Sequence, residues 1–178
     1  KESLPRAGVP YCDLSRAVYI AGDVCDQKLV GELLKKEGIR TIFHLAAEAI
    51  VGEAYKNPAR AFKTNVQGTV AVLEAARVTD PEIEIVIASS DKAYGEHKTL
   101  PYREDFPLMG RNPYDCTKSC ADLVTQSYAA TYGSRVGITR CGNVYGGGDL
   151  NFSRIVPDVI RSFLMGRSPE IRSDGNYQ

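Results

Sequence analysis

The sequence predicts an α/β protein built on a parallel sheet with helices on both faces. Short apolar runs of strand length alternate with longer segments whose apolar residues recur at helical spacing. Each crossover between successive strands is long enough to hold a helix, which is the connection that parallel strands require. The 178 residues suffice for a domain with a substantial core, and we expect a single domain over residues 1–178.

The first three elements precede residue 48. The run LSRAVYIAGDV, at residues 14–24, is largely apolar and is predicted to end in a strand. The segment QKLVGELLKKEG, at residues 27–38, has helical periodicity and ends on a glycine, which predicts a helix with a glycine C-cap. The short apolar run RTIFHLAA, at residues 40–47, predicts a buried strand.

Five further elements complete the alternation. They are a helix at residues 58–78, a strand at 83–90, a helix at 113–132, a strand at 135–143 and a helix at 156–166. Phe62, Val66 and Val70 show the helical spacing in the first of these helices. Proline stands in the first turn of the last two helices, where its missing N–H has no cost.

Composition excludes several classes of protein. The 22 basic residues balance the 22 acidic ones, so no net charge attracts nucleic acid or an anionic membrane. No apolar run approaches the ~18 residues that a membrane-spanning helix needs, and the N-terminus lacks a signal-peptide pattern. We therefore expect a cytoplasmic protein with neither a nucleic-acid nor a membrane partner.

The cysteines predict neither a disulfide framework nor a metal site. The five are Cys12, Cys25, Cys116, Cys120 and Cys141, an odd number at irregular spacing. Cys116 and Cys120 lie one helical turn apart, but no second pair or nearby histidine completes a zinc set. We expect reduced thiols and no metal.

The candidate site follows from the ends of the predicted strands. Ligands of parallel α/β sheets bind at the carboxyl ends of the strands. The segments that follow the strands read GDV at 22–24, AAE at 46–48, SSDK at 89–92 and GNVY at 142–145. All four carry a polar side chain where the sheet should open.

The segment NPYDCTK places Tyr114 and Lys118 four residues apart, on one face of the helix that Asn112 and Pro113 introduce. A free tyrosine, with a pKa of about 10, is a poor base near neutral pH. Lowering that pKa by about three units needs roughly 4 kcal/mol, to which an ammonium in a dry cleft would contribute. Because the spacing is common, an ordinary solvated helix face remains an alternative.

Five motifs together resemble one family. HLAAEA, KTNVQGT, SSDKAYGE, NPYDCTKSCADL and TRCGNVYGGGD are similar to those of extended short-chain dehydrogenase/reductases that act on nucleotide sugars, from about Gly22 to the C-terminus. The resemblance implies a Rossmann fold and NAD as cofactor, with NADP as the alternative. It also implies that Tyr114 is the catalytic base, that Lys118 holds the nicotinamide ribose and lowers the tyrosine pKa, and that Ser90 polarises the sugar C4 hydroxyl.

The resemblance also implies the remaining contacts with cofactor and substrate. The further residues expected at the cofactor are Asp23, Val24, Leu45, Ala46, Ala47, Thr64 and Asn143, and those expected at the substrate are Ser90, Asn143, Arg154 and Val156. Asp23 has an alternative role as the cap of the following helix. Asn65, which interrupts an apolar helix face, is predicted to have a structural or water-holding role near the site.

The stretch SSDKAYG bears on the reaction. In this family a 4-epimerase returns hydride to the other face of C4, whereas a 4,6-dehydratase eliminates water across C5 and C6 and returns hydride to C6. Asp91 is the candidate acid for the leaving hydroxyl, and Lys92 is the candidate base if burial lowers its pKa. The resemblance thus favours a dehydratase of the CDP-glucose type acting on a CDP- or dTDP-hexose. An epimerase, or an exposed ion pair at a strand end, remains an alternative.

The sequence resembles the middle of a longer enzyme. No glycine-rich turn of the kind that holds a dinucleotide pyrophosphate precedes Asp23, and residues 150–178 are expected to lead into a substrate-binding region. A binding or scaffold fragment without activity is therefore a second class of function. The family also implies a homodimer through helices 58–78 and 113–132. A stripe of Val124, Tyr128 and Tyr132 would extend that interface or face the sheet instead.

Overall fold

A computed structural model describes residues 17–171, which separate into two compact units. One unit comprises residues 22–142, and the other combines residues 17–21 with residues 143–171. Cys12 and the start of the strand predicted at 14–24 lie outside the described residues.

A parallel sheet of three strands forms the centre of the unit at 22–142. The strands are β1 (Thr41–His44), β2 (Glu84–Ala88) and β3 (Val136–Thr139), in the order β1-β2-β3. Ile87 of β2 lies opposite His44 on one side and Ile138 on the other. The predicted parallel α/β class is confirmed. Each strand is shorter than its predicted run.

Six α-helices lie within the described residues. They are α1 (Gln27–Lys36), α2 (Val51–Lys56), α3 (Pro58–Phe62), α4 (Gly68–Thr79), α5 (Pro113–Tyr132) and α6 (Ile155–Leu164). The first five belong to the unit at 22–142, and α6 belongs to the other. A π-helical turn (Lys63–Gln67) joins α3 to α4, so the helix predicted at 58–78 is continuous but carries one wide turn. A 3₁₀ turn (Asp91–Tyr94) follows β2.

The core lies between the sheet and the helices on one of its faces. Leu34 of α1 and Leu73 of α4 pack on Ile85 and Ile87 of β2, and Val124 and Tyr128 of α5 pack against the same cluster. Those two residues of the predicted stripe therefore face the core, whereas Tyr132 is exposed. On the opposite face of the sheet, Phe43 is 68% exposed.

The strand predicted at residues 14–24 is not formed in its described part. Residues 17–22 have no regular secondary structure, and Val18, Tyr19 and Ile20 are exposed. Apolar residues with strand propensity do not form a strand unless a neighbour pairs with them. α2 and the 3₁₀ turn were not predicted, because each is too short to show a periodic pattern.

Candidate active site

The structure brings Tyr114 and Lys118 together at the carboxyl end of β2. The Lys118 ammonium lies 5.9 Å from the centroid of the Tyr114 ring. Its Nζ donates a hydrogen bond of 2.7 Å to the carbonyl of Ala88, the last residue of β2. Lys118 is only 7% exposed, and burial lowers the pKa of its ammonium. The phenol ring and a desolvated cation therefore share one edge of the sheet.

The local sequence explains why α5 points these groups toward the sheet. Pro113 occupies the first turn, and Gly133, with a φ of 66°, ends the helix. Asn112 is the N-cap residue, as predicted, but its side chain donates to Asp115 Oδ2 at 3.3 Å instead of capping a backbone N–H. Tyr114 and Lys118 then follow one turn apart on the buried face.

The segment after β2 forms the second wall of the site. The Ser90 hydroxyl accepts a bond from the backbone N–H of Lys92 at 3.2 Å and donates to Asp91 Oδ1 at 2.9 Å. Ser90 therefore caps the 3₁₀ turn, and its proton is held by Asp91. Lys92 is exposed, so the burial that a base role for this lysine requires is not observed.

Asn65 connects the two halves of this edge from within the π-helical turn. Its Oδ1 accepts from the backbone N–H of Glu48, just after β1, at 2.7 Å, and its Nδ2 donates to Thr117 Oγ1 of α5 at 2.9 Å. Asn65 is only 3% exposed. π-turns within helices are frequent at functional sites. Asn65 thus has a structural role here, fixing α5 relative to the loop after β1.

His44, the last residue of β1, is a buried neutral group beside this network. The Thr69 hydroxyl donates its single proton to the carbonyl of Asn65 at 2.7 Å, so it accepts from His44 Nε2 at 3.1 Å. Burial, together with the positive charge of Lys118, lowers the pKa of His44 to about 4. His44 therefore adds no charge to the site at neutral pH.

The residues expected at the adenine end have specific local contacts. Asp23 Oδ1 accepts from the backbone N–H of Cys25 at 2.9 Å, and its Oδ2 lies 3.3 Å from Lys63 Nζ. The cap of α1 is Asp26, so the alternative role of Asp23 as that cap is wrong. Val24 lies against the start of α4, where a Cβ on Gly68 would come within 2.8 Å of Val24 Cγ1.

The other expected cofactor residues line the same edge of the sheet. Leu45 and Ala46 follow β1 directly and are exposed, while Ala47 is half-buried. Thr64 is half-buried in the π-helical turn. Small or apolar side chains exposed at the carboxyl end of a parallel strand fit a flat ligand that lies across the strand ends.

A buried polar atom without a partner supports a ligand at this position. Ser89 Oγ is buried and has no hydrogen-bond partner among the described residues. Ser89 directly follows Ala88, whose carbonyl is bound by Lys118. A buried hydroxyl without a partner costs about 1–3 kcal/mol. The hydroxyl groups of the nicotinamide ribose, or the carboxamide of the nicotinamide, would offer such a partner, so the residues present fit a dinucleotide.

The remaining expected substrate residues lie in the unit that contains α6. Asn143 and Arg154 are exposed, and Arg154 Nη1 pairs with Asp149 Oδ2 at 3.1 Å. Val156 lines a cavity of about 360 Å³ within this unit. Its walls also include Tyr145, Gly146, Phe152, Ile160 and Leu164. The cavity is thus largely apolar.

Sequence reasoning missed a second cavity, in the unit at 22–142. This cavity of about 430 Å³ is lined by Asp91, Tyr94, Tyr102, Glu104, Ile138 and Arg140. Arg140 pairs with the fully buried Asp122 of α5. The available signal was Asp122, an acidic residue eight positions after Tyr114 on the same face of α5. No local pattern identifies Arg140 as its partner.

Within residues 17–171, no three histidine, cysteine or acidic side chains come together as a metal site. None of the helices in this range combines the length and apolar character needed to cross a bilayer.

Comparison with known proteins identifies relatives along nearly the whole chain. A family model described as GDP-mannose 4,6 dehydratase matches residues 9–178. A CDP-glucose 4,6-dehydratase from Salmonella typhimurium is 32% identical over 162 residues, which cover 85% of this chain and 45% of that relative. The chain thus spans less than half the length of this relative.

Solved structures show the same fold. A dTDP-glucose 4,6-dehydratase from Streptomyces venezuelae, with NAD and TYD bound, matches with a TM-score of 0.81 and 31% identity, over 96% of this chain and 52% of that one. A UDP-glucose 4-epimerase from Brucella ovis, in complex with NAD, matches with a TM-score of 0.68 and 34% identity, over 72% and 39% of the two chains.

Proposed function

Since the chain belongs to the GDP-mannose 4,6 dehydratase family, within the nucleotide-sugar epimerases and dehydratases of the extended short-chain dehydrogenase/reductases, we propose that its protein is an NAD-dependent nucleotide-sugar 4,6-dehydratase. The observation that carries this proposal is the meeting of Tyr114, Lys118 and the Ser90-Asp91 pair at one strand end. A CDP- or dTDP-hexose is the proposed substrate. Relatives named for both nucleotides support this choice.

The proposed chemistry begins with proton removal from the sugar C4 hydroxyl by Tyr114. Lys118 stabilises the phenolate, because its ammonium is desolvated and lies near the ring. Ser90 holds the C4 oxygen once its hydroxyl proton turns from Asp91 Oδ1 toward the sugar. NAD, when bound, would accept hydride from C4 and later return it to the sugar.

The elimination step is assigned to Asp91, the first residue of the 3₁₀ turn. Asp91 holds the Ser90 proton and lines a polar cavity, so its carboxyl group can receive a proton from solvent and pass it to the leaving C6 hydroxyl. Lys92 is proposed as the base that takes the C5 proton. Because Lys92 is exposed, this role requires that a bound ligand or additional residues of the protein shield it from solvent. Replacing Asp91→Asn should slow release of 4-keto-6-deoxy sugar by about 100-fold and leave C4 oxidation intact.

A nucleotide-sugar 4-epimerase is the second candidate. The exposure of Lys92 favours it, because an epimerase needs no base at C5. The Brucella ovis epimerase also shows that this fold accommodates that reaction. In an epimerase, Asp91→Asn would leave turnover close to that of the unaltered protein, and the product would be the C4 epimer.

The cofactor residues proposed are Asp23, Val24, Leu45, Ala46, Ala47, Thr64, Tyr114, Lys118 and Asn143. Support comes from the unpartnered Ser89 hydroxyl and from relatives crystallised with NAD. Titration of NAD and NADP into the full-length protein tests the assignment. Failure of both to bind would favour a scaffold or binding protein without activity.

Residues 150–178 are proposed to lead from a single nucleotide-binding domain into a substrate-binding region, with Asn143, Arg154 and Val156 as substrate contacts. The apolar cavity beside Val156 supports this, because it would accept the flat face of a base or sugar. Replacing Val156→Asp should raise the KM for the nucleotide sugar more than it changes kcat.

A cytoplasmic homodimer that pairs α4 and α5 with their copies is also proposed. Leu123 of α5 is 55% exposed and Val70 of α4 is 36% exposed, although both helices carry apolar residues on their buried faces. The cysteines among the described residues are unpaired, which fits a reducing compartment. Sedimentation should give a dimer, and Leu123→Glu should give a monomer.

A further inference from the structure

One guanidinium connects four segments of the unit at 22–142. Arg140 directly follows β3, and its Nε and Nη2 donate to the two carboxylate oxygens of Asp122 at 2.7 and 3.0 Å. Its Nη1 donates to the Tyr94 hydroxyl at 3.0 Å and to the Glu104 carbonyl at 2.9 Å. Four hydrogen bonds thus join the end of β3 to α5, to the 3₁₀ turn and to the loop beyond that turn.

These groups are withdrawn from water. Asp122 is fully buried, Tyr94 is 4% exposed, and the Arg140 side chain is 16% exposed. Two parallel charge-assisted bonds fix the guanidinium plane. A buried ion pair often adds little to stability compared with an apolar pair of the same volume. Its better-attested use is to fix one arrangement of the elements that it joins.

The 3₁₀ turn that Arg140 holds is the one that carries Asp91 and Lys92. The residue after Arg140 also binds this turn, because the Cys141 carbonyl accepts from the Asp91 N–H at 3.0 Å. From the other side, the Ser119 hydroxyl of α5 donates to the Ala93 carbonyl at 2.8 Å. The position of Asp91 therefore depends on both α5 and the end of β3.

The same helix face carries the residues that act on C4. Tyr114, Lys118 and Asp122 lie at intervals of four residues along α5. Lys118 binds the end of β2, and Asp122 binds Arg140. Arg140 consequently links the helix that carries the C4 base to the turn that carries the C6 acid.

We propose that Arg140 is a positioning residue, which holds the turn with Asp91 and Lys92 in register with the helix that carries Tyr114. This role rests on the proposed dehydratase function. Asp91 acts in the elimination, whereas Tyr114 and Lys118 act in C4 oxidation. Because Ser90, which contacts the C4 oxygen, lies just before the turn and is only its cap, loosening the turn slows elimination more than oxidation, which a merely structural ion pair would not do.

The variant that tests this role is Tyr94→Phe in the full-length protein. It removes only the hydroxyl that accepts from Arg140 and keeps the ring that stacks on Tyr102 at 5.1 Å between centroids. Elimination, followed as exchange of the C5 proton with solvent deuterium, should slow about tenfold. C4 oxidation should slow less than elimination, so reduced nicotinamide accumulates in a single turnover.

Tyr128→Phe is the matched control. It removes a hydroxyl that donates to Glu74 Oε2 at 3.1 Å, on the side of α5 that faces α4. This variant should keep both rates. Equal slowing of oxidation and elimination in Tyr94→Phe would overturn the positioning role.

Hydrogen exchange provides a readout that needs no substrate. The amides of Asp91, Ala93 and Gly95 make the backbone bonds of the turn, and they should exchange faster in Tyr94→Phe than in Tyr128→Phe. Unchanged exchange at these amides overturns the proposal, whatever the activity. If the unaltered protein makes only a C4 epimer, the proposed function fails, while faster exchange would still support the anchoring of the turn by Arg140.

Discussion

Replacing Lys118→Met should abolish most of the activity without unfolding the protein. Methionine nearly matches the length of the lysine stem, and removal of a desolvated charge offsets the loss of its bond to the Ala88 carbonyl. The lost effect on Tyr114 follows from Coulomb's law. At 5.9 Å from the ring centroid, a unit charge in an effective dielectric of about 20 stabilises a phenolate by about 3 kcal/mol.

That energy corresponds to a loss of roughly 100-fold in kcat/KM at neutral pH. Because higher pH ionises the phenol without help from Lys118, the loss should shrink as pH rises. The measurement is a pH–rate profile of C4 oxidation for both proteins, with the exposed Lys56→Met as control. A Lys118→Met protein that is folded and has the profile of the unaltered enzyme would refute the role of this ammonium.

Three further predictions concern stability, each measured by denaturant unfolding. His44, with a pKa of about 4 when folded and 6.5 when unfolded, binds fewer protons in the folded state. The contribution of His44 to the free energy of unfolding, about 3 kcal/mol, is therefore complete above pH 6.5 and is lost as pH falls toward 4. His44→Gln should flatten this pH dependence of the free energy of unfolding. Asn65→Ala leaves the Glu48 N–H and Thr117 without their partner and should cost about 3 kcal/mol; no change would contradict its structural role. Gly95→Ala should cost at least about 1 kcal/mol more than Gly133→Ala, since both have positive φ but only at Gly95 would a Cβ collide with the Met109 carbonyl. Equal costs would contradict that contact.

Local sequence signals predicted α5 well because they act within the helix itself. Pro113 and Gly133 mark its ends, and the spacing of Tyr114 and Lys118 places both on one face. The alternation of strands with long helical crossovers likewise predicted the parallel sheet. The cap of α1 was less evident, because Asp23 and Asp26 are both suitable residues and only the chain path selects Asp26.

The missed features depend on contacts between distant residues. Arg140 meets Asp122 and Tyr94 from separate segments, and neither pairing has a periodic signature. The π-helical turn exists where Asn65 binds Glu48 and Thr117, so its cause lies outside the helix. The exposure of Lys92 also could not be read from sequence, since a charged residue after a strand can face either cleft or solvent.

In the proposed reaction the oxidised sugar goes on to elimination, with Asp91 as the acid. The most direct measurement is product analysis by NMR after incubation of the full-length protein with CDP-glucose or dTDP-glucose, NAD and deuterated water. We expect a 4-keto-6-deoxy sugar that carries deuterium at C5. Recovery of a C4 epimer with its C5 hydrogen intact, as the sole product, would contradict it.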